Sequence, residues 1–318
     1  MQENVYNGFS VLNNYGEDLT GKRYITDPSI ARDEELKKLM MVLLTPEKSA
    51  ILVGKAGVGK TSIVEGLSYR ILNNAVPFVL QGYRVIKINS SSLLGKVTYA
   101  GREEMVISLL MEELKHVSKT ILFIDEIHTL IGNGGNSMDL ANILKPAIDR
   151  GAIKLIGATT DIEYNTYVIR DRAFLRRFEK IDVSEPTEAT TVEILFKSLP
   201  KIESYTGIKF KYNDYVVRML LESIVSATSE YKRVYGLGAM YPDIAFSVLT
   251  AAFSQALFQN RPTVTALDVY NAIKTSKRIY PDSIIRELNL FREKFKDVCQ
   301  ADGVVLPVVQ ISEISDVE

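Results

Sequence analysis

Residues 54–61, Gly54-Lys55-Ala56-Gly57-Val58-Gly59-Lys60-Thr61, fit the pattern G-x-x-x-x-G-K-[ST]. In that spacing the glycines let backbone N–H groups close around phosphate oxygens. Lys60 sets a positive charge against the β and γ oxygens, and the Thr61 hydroxyl can ligate Mg²⁺. Further on, the apolar run Ile121-Leu122-Phe123-Ile124 ends in Asp125-Glu126. Two adjacent acids at the end of a buried run are costly unless they are used. Asp125 is placed to hold the metal through water, and Glu126 to polarise a water attacking the γ-phosphorus. A solvated acidic turn is the plain alternative, and the phosphate loop on the same chain argues against it. Ile156-Gly157-Ala158-Thr159-Thr160 ends another apolar run, and Thr160 could orient the same water. Leu175-Arg176-Arg177-Phe178 carries two guanidinium groups that read either as a solvated helix end or as a transition-state clamp supplied to an adjacent subunit.

These residues need a strand before the glycine loop and a helix after it. Apolar runs rich in β-branched residues at Ala50–Val53, Arg84–Ile88, Thr120–Ile124, Ile153–Gly157 and Lys180–Val183 read as five buried strands. Helix-length segments near 60–73, 101–117, 138–149 and 163–178 alternate with them, which predicts an α/β fold on a largely parallel sheet. Past Glu185-Pro186 apolar residues recur at helical spacing near 188–199, 214–227, 242–258, 265–275 and 281–297, with a brief β-like Ile208–Phe210. The expected organisation is a polar leader at 1–20, a large α/β domain at 21–185, a small helical domain at 186–280, and a helical extension and tail at 281–318. The tail's β-prone run from Val304 could dock as a strand, bind a partner or fray.

Composition narrows the chemistry. With 38 basic and 39 acidic residues among 318, the net charge is −1, so no global field draws the chain onto nucleic acid or an anionic membrane. One cysteine, Cys299, excludes an internal disulfide and a cysteine-cluster metal site, and two histidines leave little for zinc. No apolar stretch approaches the length of a membrane span, and Met1–Ser10 lacks the pattern of a secretory leader. A cytoplasmic protein without a membrane partner is expected.

Taken in order, these residues resemble the AAA+ ATPases of the Clp unfoldase and disaggregase family, specifically their first ATPase module. The matching tracts are Asp27–Glu35 (DPSIARDEE), Val58–Leu67, Phe123–Gly132 (FIDEIHTLIG), Met138-Asp139, Asn142–Ala147, Gly151 and Gly157–Thr160, within a resemblance covering roughly residues 20 to 260. The resemblance implies a P-loop NTPase sheet domain followed by a helical lid, with ATP and Mg²⁺ as cofactors. It implies Lys60, Thr61 and Asp125 for nucleotide and metal, Glu126 for hydrolysis, Thr160 as sensor, and Arg176 with Arg177 as fingers. Ile30 and Ile194 match adenine-pocket positions, though both suit a plain core equally well. His128 falls in the DEIHTL tract as a structural helix-start residue. Val97-Thr98-Tyr99-Ala100-Gly101 is similar to the pore loop that grips an extended polypeptide, with Tyr99 as paddle; an aromatic face contacts any side chain without a sequence-specific hydrogen bond. A surface tyrosine in a glycine-bounded loop is the alternative.

Departures accompany the matches. Thr98 and Ala100 replace basic residues usual beside the pore tyrosine, Lys55-Ala56 stands where Glu-Pro is common, Ala31 where glycine is usual, and Ile244 where a lysine follows Pro-Asp, so no second sensor is assigned. A single-module form is expected, without a globular N-terminal substrate domain, coiled-coil middle domain, second module or peptidase-docking tripeptide. The implied partners are copies of the chain in a ring, expected as a hexamer, and an unfolded or tagged protein substrate, with any adaptor or peptidase unidentified. Two alternatives stand beside this reading: a DNA-handling ATPase of the helicase or clamp-loader type, for which a loop such as Arg170-Asp171-Arg172 would supply local charge, and a non-catalytic ATP-gated scaffold.

Overall fold

Runs such as Ser-Ala-Ile-Leu-Val and Thr-Ile-Leu-Phe-Ile have no polar face to offer solvent, so they can only form strands covered on both sides. The computed structural model, which describes residues 10–131, 153–170, 175–234 and 240–309, builds its main sheet from them. The predicted helix at 138–149, the tracts around Met138, Asn142–Ala147 and Gly151, and Asp171-Arg172 lie outside the described residues. Contact clustering divides the chain into a first unit of residues 1–55 and 59–184 and a second of 56–58 and 185–318.

In the first unit the elements run α1 (Val11–Tyr15), β1 (Gly16–Asp18), α2 (Asp33–Leu44), β2 (Ser49–Val53), α3 (Lys60–Leu72), β3 (Arg84–Asn89), α4 (Ser90–Leu93), β4 (Lys96–Tyr99), β5 (Arg102–Met105), α5 (Val106–Leu114), β6 (Thr120–Asp125), β7 (Lys154–Thr159), α6 (Asp161–Glu163) and β8 (Phe178–Asp182). Among the described residues the main sheet has the order β1-β3-β6-β7-β2-β8. All its pairings are parallel except β1 with β3. Crossovers of this kind place the carboxyl ends of the parallel strands together, where the crevice of an open α/β sheet forms. β2 lies between β7 and β8, and β6 between β3 and β7. The ends of β2, β6 and β7, which carry Gly54, Asp125 and Thr160, are thereby neighbours.

Three expectations are corrected here. The segment read as a polar leader supplies α1 and the edge strand β1, because Glu113 on α5 accepts the Val11 and Leu12 amide hydrogens at 2.7 and 3.2 Å and so caps α1 from outside. The helix predicted over 101–117 starts only at Val106. Before it, β4 and β5 pair antiparallel around Ala100 and Gly101, both with positive φ (49° and 78°), the geometry of a tight hairpin turn. Of the helix predicted over 163–178, the described residues show a π-helical turn at Tyr164–Val168 after α6 and Leu175 in helix, with β8 beginning at Phe178; residues 171–174 lie outside the described residues.

In the second unit α7 (Glu188–Thr206), β9 (Lys209–Phe210), α8 (Asp214–Ala227), α9 (Asp243–Phe258), β10 (Thr263–Val264), α10 (Ala266–Lys274), α11 (Pro281–Lys294) and α12 (Lys296–Ala301) surround one apolar core. Residues Ile284, Leu288, Phe291, Phe295 and Cys299 pack into that core, so the stretch expected as an extension is continuous with the helical unit. Val304 onward forms no strand among the described residues; Leu306 and Val309 are buried against the same core instead.

Candidate functional site

β2 is buried at all five positions and delivers the chain into the glycine loop. α3 begins at Lys60, preceded by Gly59 at φ 97°, a backbone conformation that costs any residue with a Cβ about 1–2 kcal/mol. No side chain caps this helix start, so its first N–H groups stay available for an anion. The Lys60 ammonium folds back over the loop, donating to the Gly54 carbonyl at 2.7 Å and the Lys55 carbonyl at 3.0 Å. Burial pushes the Lys60 pKa below its ordinary value, against the opposing attraction of Asp125, Asp161, Glu163 and Glu126. A partly desolvated cation at the phosphate loop is suited to neutralise phosphate charge.

Asp125 ends β6 opposite Asn89 of β3. Its Oδ2 accepts a hydrogen bond from the Thr61 hydroxyl at 3.1 Å, joining the helix after the glycine loop to the acidic strand end. Its Oδ1 accepts the Glu126 amide hydrogen at 3.2 Å. Glu126 turns the chain with φ 51° and is exposed; its carbonyl accepts from the Thr129 amide and hydroxyl, both at 3.0 Å. A cleft of about 490 Å³ opens beside it, lined by Asn89, Ser90, Ser91, Asp125 and Glu126 among others, and gives water a path to the carboxylate.

Thr61 and Asp125 together offer two hard oxygen donors at hydrogen-bond separation, a set that suits Mg²⁺ completed by phosphate and water oxygens. Among the described residues no group of three or more His, Cys, Asp or Glu could hold a metal by itself.

Thr160 closes β7 and caps α6 in a reciprocal box with Glu163. Its hydroxyl donates to Glu163 Oε2 at 2.7 Å and accepts the Glu163 amide hydrogen at 3.3 Å. The donor is spent, so the oxygen retains accepting capacity, the role that orients a water through its hydrogen. The same Oε2 accepts the Thr160 amide hydrogen at 3.0 Å and the Thr159 hydroxyl at 3.2 Å, and stands 3.2 Å from His128 Nδ1. Burial alone would raise the Glu163 pKa. Hydrogen bonds from Thr160 and Thr159 and the nearby His128 outweigh it and hold the carboxyl below its ordinary value.

Lys60, Thr61, Asp125 and Glu126 are thus gathered into one group, and Thr160 is tied to it through Glu163, whose charge acts on Lys60. The other predicted residues stand on separate elements. Tyr99 ends β4 opposite Arg102, at the tip of the hairpin. Arg176 and Arg177 precede β8; their carbonyls accept from Lys48 Nζ at 2.9 Å and the Ser49 amide at 2.8 Å, and the Arg176 side chain is exposed. Ile30 sits half-buried in the turn before α2, whereas Ile194 is buried on α7 in the second unit. Gly57 at φ 82° and the neighbouring Ala56 and Val58 cluster with the second unit.

Two residues escaped the sequence reading. Glu163 had a signal in Thr160-Asp161-Ile162-Glu163, the spacing of a capping box. Lys87 had one in Val85-Ile86-Lys87-Ile88, a cation breaking an apolar strand.

Residues 50–183 match the family described as ATPase family associated with various cellular activities (AAA). The chain is 37% identical over 263 residues to the chaperone protein ClpB of Wolinella succinogenes, an alignment covering 81% of this chain and 30% of that protein. It is 37% identical over 268 residues to the ATP-dependent Clp protease ATP-binding subunit ClpC of Staphylococcus saprophyticus, covering 82% of this chain and 31% of that one. Among solved structures, Hsp104 with ATPγS and FITC casein in a closed state superposes with a TM-score of 0.70 at 32% identity, over 83% of this chain and 45% of that chain. The chain therefore spans less than a third of the length of these two curated relatives. On fold, site and relatives together, residues 50–183 carry an AAA ATPase domain, and the chain is similar to one ATPase module of the Clp proteins.

Proposed function

We propose that the chain binds and hydrolyses Mg²⁺-ATP within an oligomeric ring and uses the turnover to remodel or thread polypeptide. The observation that carries this reading is the Thr61–Asp125 hydrogen bond, which brings the phosphate loop and the acidic strand end into one site beside Lys60 and Glu126. In it Lys60 neutralises phosphate charge, Thr61 and Asp125 hold the metal, Glu126 takes the proton of the attacking water, and Thr160 accepts that water's second hydrogen. The metal supplies charge neutralisation at the phosphates. Arg176 and Arg177 complete a neighbour's site, Ile30 contacts adenine, and Tyr99, at the tip of a two-stranded arm, grips substrate. The ATPγS and casein complex of Hsp104 supports the nucleotide and substrate classes; the ring is proposed as a hexamer.

The test is the steady-state ATPase rate across a range of protein concentrations, with and without casein. The specific rate is expected to rise with concentration, as subunits assemble, and to rise again with casein; Lys60→Ala should abolish it. A rate indifferent to both concentration and casein would overturn the ring-and-polypeptide reading, and equal turnover in Lys60→Ala would overturn the site.

A further inference from the structure

Lys87 lies in the middle of β3, flanked by buried Val85, Ile86 and Ile88, with its own side chain only 22% exposed. An ammonium group in such a strand needs a partner. The parallel register sets Lys87 beside Phe123 and Asn89 beside Asp125, and side chains two apart on a strand share a face, so Lys87 and Asp125 stand on the same side of the sheet. The Lys87 Nζ reaches along that face, 5.8 Å from the centre of the Phe123 ring and 3.6 Å from Asp125 Oδ2. This oxygen is the one that accepts the Thr61 hydroxyl, the oxygen placed to face a metal. Lys60, on the other side of the loop, is a second cation attracted to the same carboxylate.

We propose that Lys87 is a positioning residue, an internal counter-ion that occupies Asp125 when no metal is present and competes with Mg²⁺ for it. The inference rests on the nucleotide-site reading above. A dication arriving at Thr61 and Asp125 either displaces the ammonium and forfeits its attraction, or leaves it in place and is repelled by it. Both cases weaken Mg²⁺ binding relative to a site with a neutral residue at this position. Lys87 would thereby couple retention of the nucleotide to the free Mg²⁺ level and keep Asp125 aimed at Thr61 between nucleotides.

The experiment follows fluorescence of N-methylanthraniloyl-labelled ADP bound to the full chain while MgCl₂ is titrated, for wild type, Lys87→Met, Lys87→Gln and Lys87→Arg. Methionine keeps an alkyl arm over Phe123 and removes the charge; glutamine does so with a polar end, and provides the measurement if the methionine variant fails to fold. Both neutral variants should reach half-saturation at an Mg²⁺ concentration lower by about three- to tenfold, a range set by a charge pair a few ångströms apart and partly screened. Lys87→Arg should track wild type, affinity for the labelled ADP in EDTA should change little, and added salt should shrink the difference. An Mg²⁺ midpoint unchanged or raised in both neutral variants overturns the counter-ion role while leaving the nucleotide site standing. Absence of labelled-ADP binding by wild type, with or without Mg²⁺, overturns the nucleotide reading and the inference with it.

Discussion

At the scale of single residues, Glu163 is the group on which most of the β7 end depends. One carboxylate oxygen takes three hydrogen bonds from Thr159 and Thr160 and faces His128. Its pKa is held below the ordinary value even though burial pushes the other way, so the ionised form is the one the fold prefers. A carboxyl lowered in the folded state stabilises fully above its unfolded value, and that contribution disappears as pH falls through the folded value. Glu163→Gln should therefore be less stable than wild type near neutral pH, and the two thermal midpoints should converge on acidification from about pH 5 downward. Unfolding curves measured from about pH 7 down to about pH 2 decide it: a gap that stays constant over that range would remove the charge from the account. Glu163 shows what a spacing can and cannot tell. The Thr-x-x-Glu pattern was present in the sequence, but the convergence of Thr159 and His128 on the same oxygen depends on β7 running beside β6, which no local pattern encodes.

At the scale of elements, α3 is held by a close approach. Gly66 faces Ser29, and a Cβ built on the glycine would fall 2.2 Å from both the Cβ and the Oγ of that serine. Ser29 cannot retreat cheaply: it is buried, and its amide and hydroxyl are both bound to Asp27 at 2.8 and 2.6 Å. Gly66→Ala should thus cost about 1–2 kcal/mol, the usual overpacking penalty reduced by alanine's better helix propensity. Ser29→Gly in the same chain should recover much of it, and additive losses in chemical denaturation would show that the contact is not the cause. The elements that were legible in the sequence share a property. The runs at 50–53 and 120–124 are buried throughout, that at 84–88 is buried at Val85, Ile86 and Ile88, and the glycine loop between β2 and α3 is a fixed spacing. Those that were misread are decided by partners. β4 and β5 have only four residues each and one half-buried face, so alternation is too short to register, and the Ala100-Gly101 turn separates a hairpin from the helix that periodicity extended across it. α1 and β1 exist because Glu113 and β3, about 70 to 100 residues away, complete their hydrogen bonds.

At the scale of the whole molecule, the proposed site in the first unit would supply groups for phosphate, metal and water, while the guanidinium pair proposed to stabilise the transition state sits before β8 on a backbone pinned by Lys48 and Ser49. With that backbone fixed and the Arg176 side chain exposed, the group is presented outward, as a residue acting on a neighbouring copy must be. Heterologous contacts that close into a ring give every subunit one such neighbour on each side. Complementation separates action on the neighbour from action at home. Arg176→Ala subunits keep Glu126 but offer their neighbours no guanidinium, and Glu126→Gln subunits offer the guanidinium but cannot activate water, so each protein alone should lose at least about 100-fold in ATPase rate. Mixed in equal amounts, with exchange verified by energy transfer between labelled subunits, about a quarter of the interfaces would join an intact Glu126 to an intact Arg176 from next door. The mixture should then hydrolyse ATP at roughly that fraction of the wild-type rate, although both components are inactive. A mixture no faster than the sum of its parts, with exchange established, would mean that Arg176 serves its own subunit or none, and the ring would lose its catalytic reason.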